Sequence, residues 1–192
     1  MSPRPKQALE LKTILETAAK IADESGLTEV TLANLAKELN IRPPSLYNHF
    51  DGLSGLHENI ALYGIKQLYN SLVNEAVGLA GEEAVMNLAK AYVDFVRRHP
   101  GLYEATISTP NVMNEEFHEV GNNIVDLTKR VLKAYGMEGE SAIHAVRGLR
   151  SILHGFSSLE QKGGFGLDLD TDLSLNVIIK TYLKGIDKMN AN

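Results

Sequence analysis

Ser45, Tyr47, Asn48 and His49 stand almost side by side and offer a hydroxyl, a phenol, a carboxamide and an imidazole. Together they can donate and accept hydrogen bonds, but they include neither a carboxylate nor a thiol. A small polar front of this kind can be pushed into a partner and bond its polar groups. The rest of the chain offers little for other chemistry. His49, His57, His99, His118, His144 and His154 form no i, i+4 pair with one another, so no metal site is expected. There is no cysteine, which removes disulfides and thiolate ligands. A glycine-rich phosphate loop, a Gly-x-Ser-x-Gly elbow and a paired-carboxylate motif are all missing. An enzyme reading therefore has no residues to name, and no cofactor is expected.

The elements that must hold this polar set lie immediately around it. Thr31 can cap a helix through its hydroxyl. Leu32, Leu35, Ala36 and Leu39 follow at i, i+3, i+4 and i+7, a single buried stripe. Asn40 tolerates the left-handed backbone of a sharp turn, and Ile41 can plug the corner behind it. Pro43 and Pro44 suit only the first turn of a helix, so a second, short helix begins there. Leu46 and Phe50, four apart, face the first helix and leave Ser45, Asn48 and His49 pointing outward. Upstream, Leu11, Ile14, Leu15, Ala18, Ile21 and Ala22 form the apolar face of an opening helix that stops at Ser25-Gly26, with Leu27 after the glycine.

Beyond Asp51-Gly52 the periodicity is helical throughout, with no alternating strand pattern. A long helix from near Ser54 carries Leu56, Ile60, Tyr63, Leu68 and Leu72 and ends in Gly78-Leu79-Ala80-Gly81. Val85, Leu88, Ala89, Tyr92, Phe95 and Val96 define the next, stopped by His99-Pro100-Gly101, and a short piece with Leu102, Tyr103 and Ile107 runs to Thr109-Pro110. Phe117, Val120, Ile124, Leu127, Val131 and Tyr135 make another, closed by Gly136. The last two helices, near Ala142 to Gln161 and Asp172 to Lys188, are apolar on more than one side. A helix apolar on two sides must bury two sides: one against its own subunit, the other against a second copy or against more of the same core. Asp170, Thr171 or Asp172 can cap the second of them. The expected architecture is all-α, with a three-helix helix-turn-helix domain over residues 1–53 and a larger helical domain over 54–192.

Gly26, the Thr31-Leu32…Leu35-Ala36 pattern, the Ile41 corner and above all Ser45-Leu46-Tyr47-Asn48-His49-Phe50 resemble the DNA-reading helix-turn-helix of the TetR family of transcriptional repressors. Asn40 stands where that turn usually has glycine, Arg42 where it has a small hydroxyl residue, and the lysine that commonly opens the next helix is missing. The resemblance implies a cytoplasmic, ligand-responsive repressor that binds double-stranded DNA as a homodimer on a near-palindromic operator. Ser45 and Asn48 would read base edges, and Tyr47 and His49 would hold phosphate oxygens. Arg42 would meet a phosphate or a guanine edge, Thr31 would offer its hydroxyl and nearby amides to a phosphate, and Pro43 and Pro44 would touch bases or sugar by shape. The ordinary alternatives are a half-buried core tyrosine at 47 and a solvated histidine at 49. In the larger domain the resemblance implies a small-molecule effector site and pairing through the last two helices. Tyr63, Phe95, Tyr103, Met113, Phe117, His154 and Phe156 are candidate lining residues, each with plain core packing as its alternative. The stretch from Leu149 to Phe165, with His154-Gly155-Phe156, also resembles the carboxy-terminal domain of a TetR subgroup named for a Trp-His-Gly signature, although the chain has no tryptophan.

Composition sets limits on this reading. Among 192 residues, 44% are hydrophobic, enough for a real core. The formal net charge of -5 runs against nucleic-acid binding, which depends on neutralising phosphates. Distribution can offset it, with Arg4 and Lys6 in an amino-terminal arm and Arg42 at the reading helix itself. No apolar run is long enough to span a bilayer and none forms a signal-peptide core, so no membrane partner is expected. The rival reading is an all-helical small-molecule-binding protein or enzyme in which the amino-terminal helices are only a cap. An activator would share every residue named above.

Overall fold

The computed structural model describes residues 10–108 and 114–190. Arg4, Lys6 and Met113 lie outside the described residues. Among those described the chain is helical and has no strand: α1 (Leu11–Ser25), α2 (Leu32–Glu38), α3 (Gly52–Ala76), α4 (Gly81–Arg98), α5 (Pro100–Ser108), α6 (Glu115–Leu132), α7 (Gly139–Gln161) and α8 (Thr171–Asn190). Short 3-10 segments occupy Leu27–Glu29, Pro43–Asn48 and Lys133–Tyr135. None of the described helices is long and apolar enough to cross a membrane.

Two compact units divide the chain, Met1–Gly64 with Gly101–Asn114, and Ile65–Pro100 with Glu115–Asn192. The first takes in α5 as well as the helices that precede residue 53, and the reason is a close approach of backbones. A Cβ on Gly101 would lie 1.9 Å from the Ala22 carbonyl oxygen, so only glycine lets the start of α5 rest on the end of α1. On α3, a Cβ on Gly64 would lie 2.9 Å from the Leu102 oxygen. The amide of Leu102, one of the unpaired donors of a helix start, is met by the Asp23 carboxylate at 2.8 Å. Ile14, Ala18 and Ala22 on α1, Leu35 and Ala36 on α2, and Leu56 and Ile60 on α3 are buried.

In the second unit α4 packs on α6, α7 and α8. Its buried residues Val85, Leu88, Ala89, Tyr92, Phe95 and Val96 follow the helical spacing read from the sequence. At its end the Arg97 guanidinium grips Glu160 of α7 through Nε and Nη2, both at 2.7 Å. Its Nη1 reaches Asp172 of α8 at 2.7 Å. Gln161 adds a bond from Nε2 to the Val96 carbonyl at 3.0 Å. The Glu160 hydrogen bond raises the Arg97 pKa, and the same bond lowers that of Glu160. Of the three possible caps of α8, Asp170 serves: its Oδ1 accepts from the amides of Asp172 at 2.8 Å and Leu173 at 3.1 Å. Leu175, Ile179, Leu183 and Ile186 form the buried side of α8, while Leu173, Val177 and Ile178 are exposed.

Candidate nucleic-acid interface

The polar set is built from the turn outward. Thr31 Oγ1 accepts from the Asn34 amide at 3.1 Å and so caps α2, while its own proton stays available to donate. Asn40 has φ 52°, the left-handed conformation that the sharp turn needs. The Ile41 amide then reaches back to the Ala36 carbonyl at 2.9 Å and the Asn40 amide to Lys37 at 3.1 Å, closing the helix with a Schellman motif. Arg42 is extended (φ -85°, ψ 137°), as a residue before proline must be.

Residues Pro43–Asn48 wind as a 3-10 helix rather than an α-helix. Leu46 is 0% exposed and Phe50 4%, so the two apolar residues pin the back of this short element. In a 3-10 helix residues three apart eclipse, which puts Ser45 and Asn48 on one row. Both are exposed. Tyr47 is 60% exposed, which removes the core alternative for its ring, and His49 is half-buried. Pro43, Pro44 and Arg42 are exposed beside them, and no carboxylate falls between Leu39 and Phe50. The positive charge of Arg42 is therefore unopposed within the reading strip despite the acidic chain.

Two positioning residues escaped the sequence reading. Asn34 donates from Nδ2 to the Glu29 carbonyl at 2.9 Å, and His57 of α3 donates through Nε2 to the Val30 carbonyl at 3.0 Å, fixing the segment that leads into Thr31. Their partners belong to neighbouring elements, and no periodicity marks them.

The candidate lining residues fall into separate units. Tyr103 is buried and Tyr63 half-buried in the first unit. Phe95 and Phe156 are buried in the second, where Phe117 is half-buried and His154 is exposed on α7. Phe156 stacks obliquely on Phe165, with ring centres 5.0 Å apart. Among the described residues no group of three or more histidines and carboxylates could hold a metal ion.

Residues 14–58, which contain the whole turn, match the bacterial regulatory proteins of the tetR family, and residues 85–182 match the tetracyclin repressor-like carboxy-terminal domain. Over 189 residues the chain is 40% identical to the uncharacterized HTH-type transcriptional regulator YobS of Bacillus subtilis, covering 98% of each protein. The chain belongs to the TetR family. This TetR-family protein is also 31% identical over 181 residues to an uncharacterized HTH-type transcriptional regulator of Mycobacterium tuberculosis, covering 94% of this chain and 83% of that one. Among solved structures, a protein of unknown function from Rhodococcus sp. RHA1 shares the fold with a TM-score of 0.79 at 23% identity, over 95% of this chain and 98% of the other. As a member of the TetR family the protein is a DNA-binding transcriptional regulator, and the all-helical reading without DNA binding is set aside.

Proposed function

We propose that this regulator is a repressor that holds a near-palindromic operator as a cytoplasmic homodimer and leaves it when a small molecule binds the second unit. The observation that carries the reading is the pinned 3-10 helix, on which Ser45, Tyr47 and Asn48 are exposed while Leu46 and Phe50 are buried. Asn48 and Ser45 read base edges in the major groove, Asn48 by pairing its amide with adenine. Tyr47, His49 and the Thr31 hydroxyl hold phosphates and fix the register, Arg42 meets a phosphate or a guanine, and Pro43 and Pro44 make contact by shape. Two copies present two such helices to successive grooves about 34 Å apart. The uncovered apolar side of α8 supports pairing through α7 and α8. The effector acts by favouring one of two states of the dimer, and its leverage is limited to its differential affinity for them. Phe95, Phe117, His154 and Phe156, which lie in the second unit, are the residues assigned to its recognition.

The test is binding of the purified protein to DNA from upstream of its own coding region, against a random duplex and with salt varied. Asn48→Ala is expected to relax base preference at one position by ~1 to 3 kcal/mol, whereas Tyr47→Phe weakens binding to all sequences alike. An Asn48→Ala protein with unchanged operator preference would remove the base-reading role.

A further inference from the structure

The second unit leaves large apolar side chains uncovered, and they gather at one end of the α7–α8 hairpin. Leu159, Leu167, Leu169, Leu173 and Val177 are all more than half exposed, and Leu167 reaches 77%. Single exposed leucines are ordinary, but a concentration of this kind marks a surface that meets a partner. The connecting loop is also shaped. The Leu169 amide bonds to the Leu167 carbonyl at 2.9 Å, a tight turn that leaves Asp168 between the two leucines. Behind it a concavity of about 270 Å³ is lined by Phe165, Leu167, Leu169, Thr171 and Ser174.

Charge says what covers this surface. Asp170 is occupied as the cap of α8 and Asp172 by Arg97. Asp168 is exposed and has no partner among the described residues. On α7, Arg147 and Arg150 are likewise exposed and have no carboxylate partner among the described residues. One hairpin thus carries an acidic, apolar tip and an unpaired basic face. When both halves of a complementary pair lie on the same chain, a two-fold axis can satisfy each of them twice.

We propose that the loop 163–170 is a clasp that crosses to a second copy of this chain and closes on its α7, with Leu167 and Leu169 taking cover there and Asp168 meeting Arg147 and Arg150. The inference rests on the homodimer reading above and adds to it a cross-subunit contact outside the helix faces. Gly163, Gly164 and Gly166 give the loop the backbone freedom to settle on that surface.

Sedimentation equilibrium of the full chain tests it, with wild type compared against Asp168→Arg, the pair Arg147→Asp with Arg150→Asp, and all three changes together. Val177→Asp, on the exposed side of α8, probes the homodimer itself. Melting curves establish that these surface variants stay folded. Asp168→Arg is expected to weaken the dimer roughly tenfold, as like charges facing one another do, and the combined reversal to recover most of the loss. An unchanged dimer with Asp168→Arg, alongside dissociation by Val177→Asp, overturns the clasp and leaves the homodimer standing. Loss without recovery in the combined variant overturns the pairing with Arg147 and Arg150. A wild-type monomer overturns clasp and homodimer together.

Discussion

The two compact units present surfaces of opposite character. The first exposes Ser45, Tyr47 and Asn48, polar groups on a helix held from behind by Leu46 and Phe50. The second exposes Leu167, Leu169, Leu173 and Val177 on a hairpin held at its corner by Arg97. A polar face rests in water at little cost and can gain and lose its partner repeatedly. An apolar face of this extent favours a lasting partner. The difference fits the proposed reading, in which one chain makes two associations, one to be made and broken and one to be kept.

That comparison can be broken by attacking each unit alone. The largest effect is expected from Gly101→Ala, which places a methyl group 1.9 Å from the Ala22 oxygen, a backbone atom with little room to yield. A loss of about 3 kcal/mol is expected, in the range of severe overpacking. Hydrogen exchange should show weaker protection in α1 and α5 and little change in α7. Equal loss in α7 would mean that the units are not separately stable, and the contrast between them would lose its meaning.

The second unit is tested through Arg97→Met, expected to cost about 1 to 2 kcal/mol near neutral pH by removing a two-pronged, charge-assisted contact. The pH dependence has a definite sign. The Arg97 hydrogen bond lowers the Glu160 pKa in the folded chain. Its contribution is therefore complete above the ordinary carboxylate value and is lost as pH falls through the lowered one. Wild type and variant should converge in melting temperature only as the pH falls below the lowered Glu160 value, in acid beneath the ordinary carboxylate range. A difference that held constant into acid would exclude Glu160 as its source. The smallest effect is Thr31→Ala, about 1 kcal/mol from the lost cap of α2, measured by urea unfolding and confined to the first unit.

Much of the reading head was legible because its determinants are local. The Thr31 cap, the Asn40 turn and the pins Leu46 and Phe50 all act on neighbours a few residues away. The winding of Pro43–Asn48 was not, because Leu46 and Phe50, four apart, suggest α-helical spacing, and Phe50 lies beyond the end of the tighter helix observed. Nor was the docking of α5, since the Leu102 amide and Asp23 are 79 positions apart and nothing in either neighbourhood announces the other. Helical spacing tells which side of a helix turns inward but not what it meets there. Tyr63 and Tyr103 were grouped with Phe95 and Phe156 by their aromatic character, and the fold assigns the two pairs to different units. His154 has apolar neighbours in sequence, yet it lies on the exposed side of α7, opposite Ala142, Leu149, Leu153 and Phe156.

The short helix at Pro43–Asn48 has a consequence for descent. Its folding depends on Leu46, Phe50 and the turn at Asn40, while the side chains of Ser45, Tyr47 and Asn48 point outward from it. A duplicated copy of this chain can therefore drift at those outward positions without drifting in shape. With the base-reading roles proposed above, new operators become reachable by a few substitutions, and the scaffold stays the same while the address it answers to is rewritten.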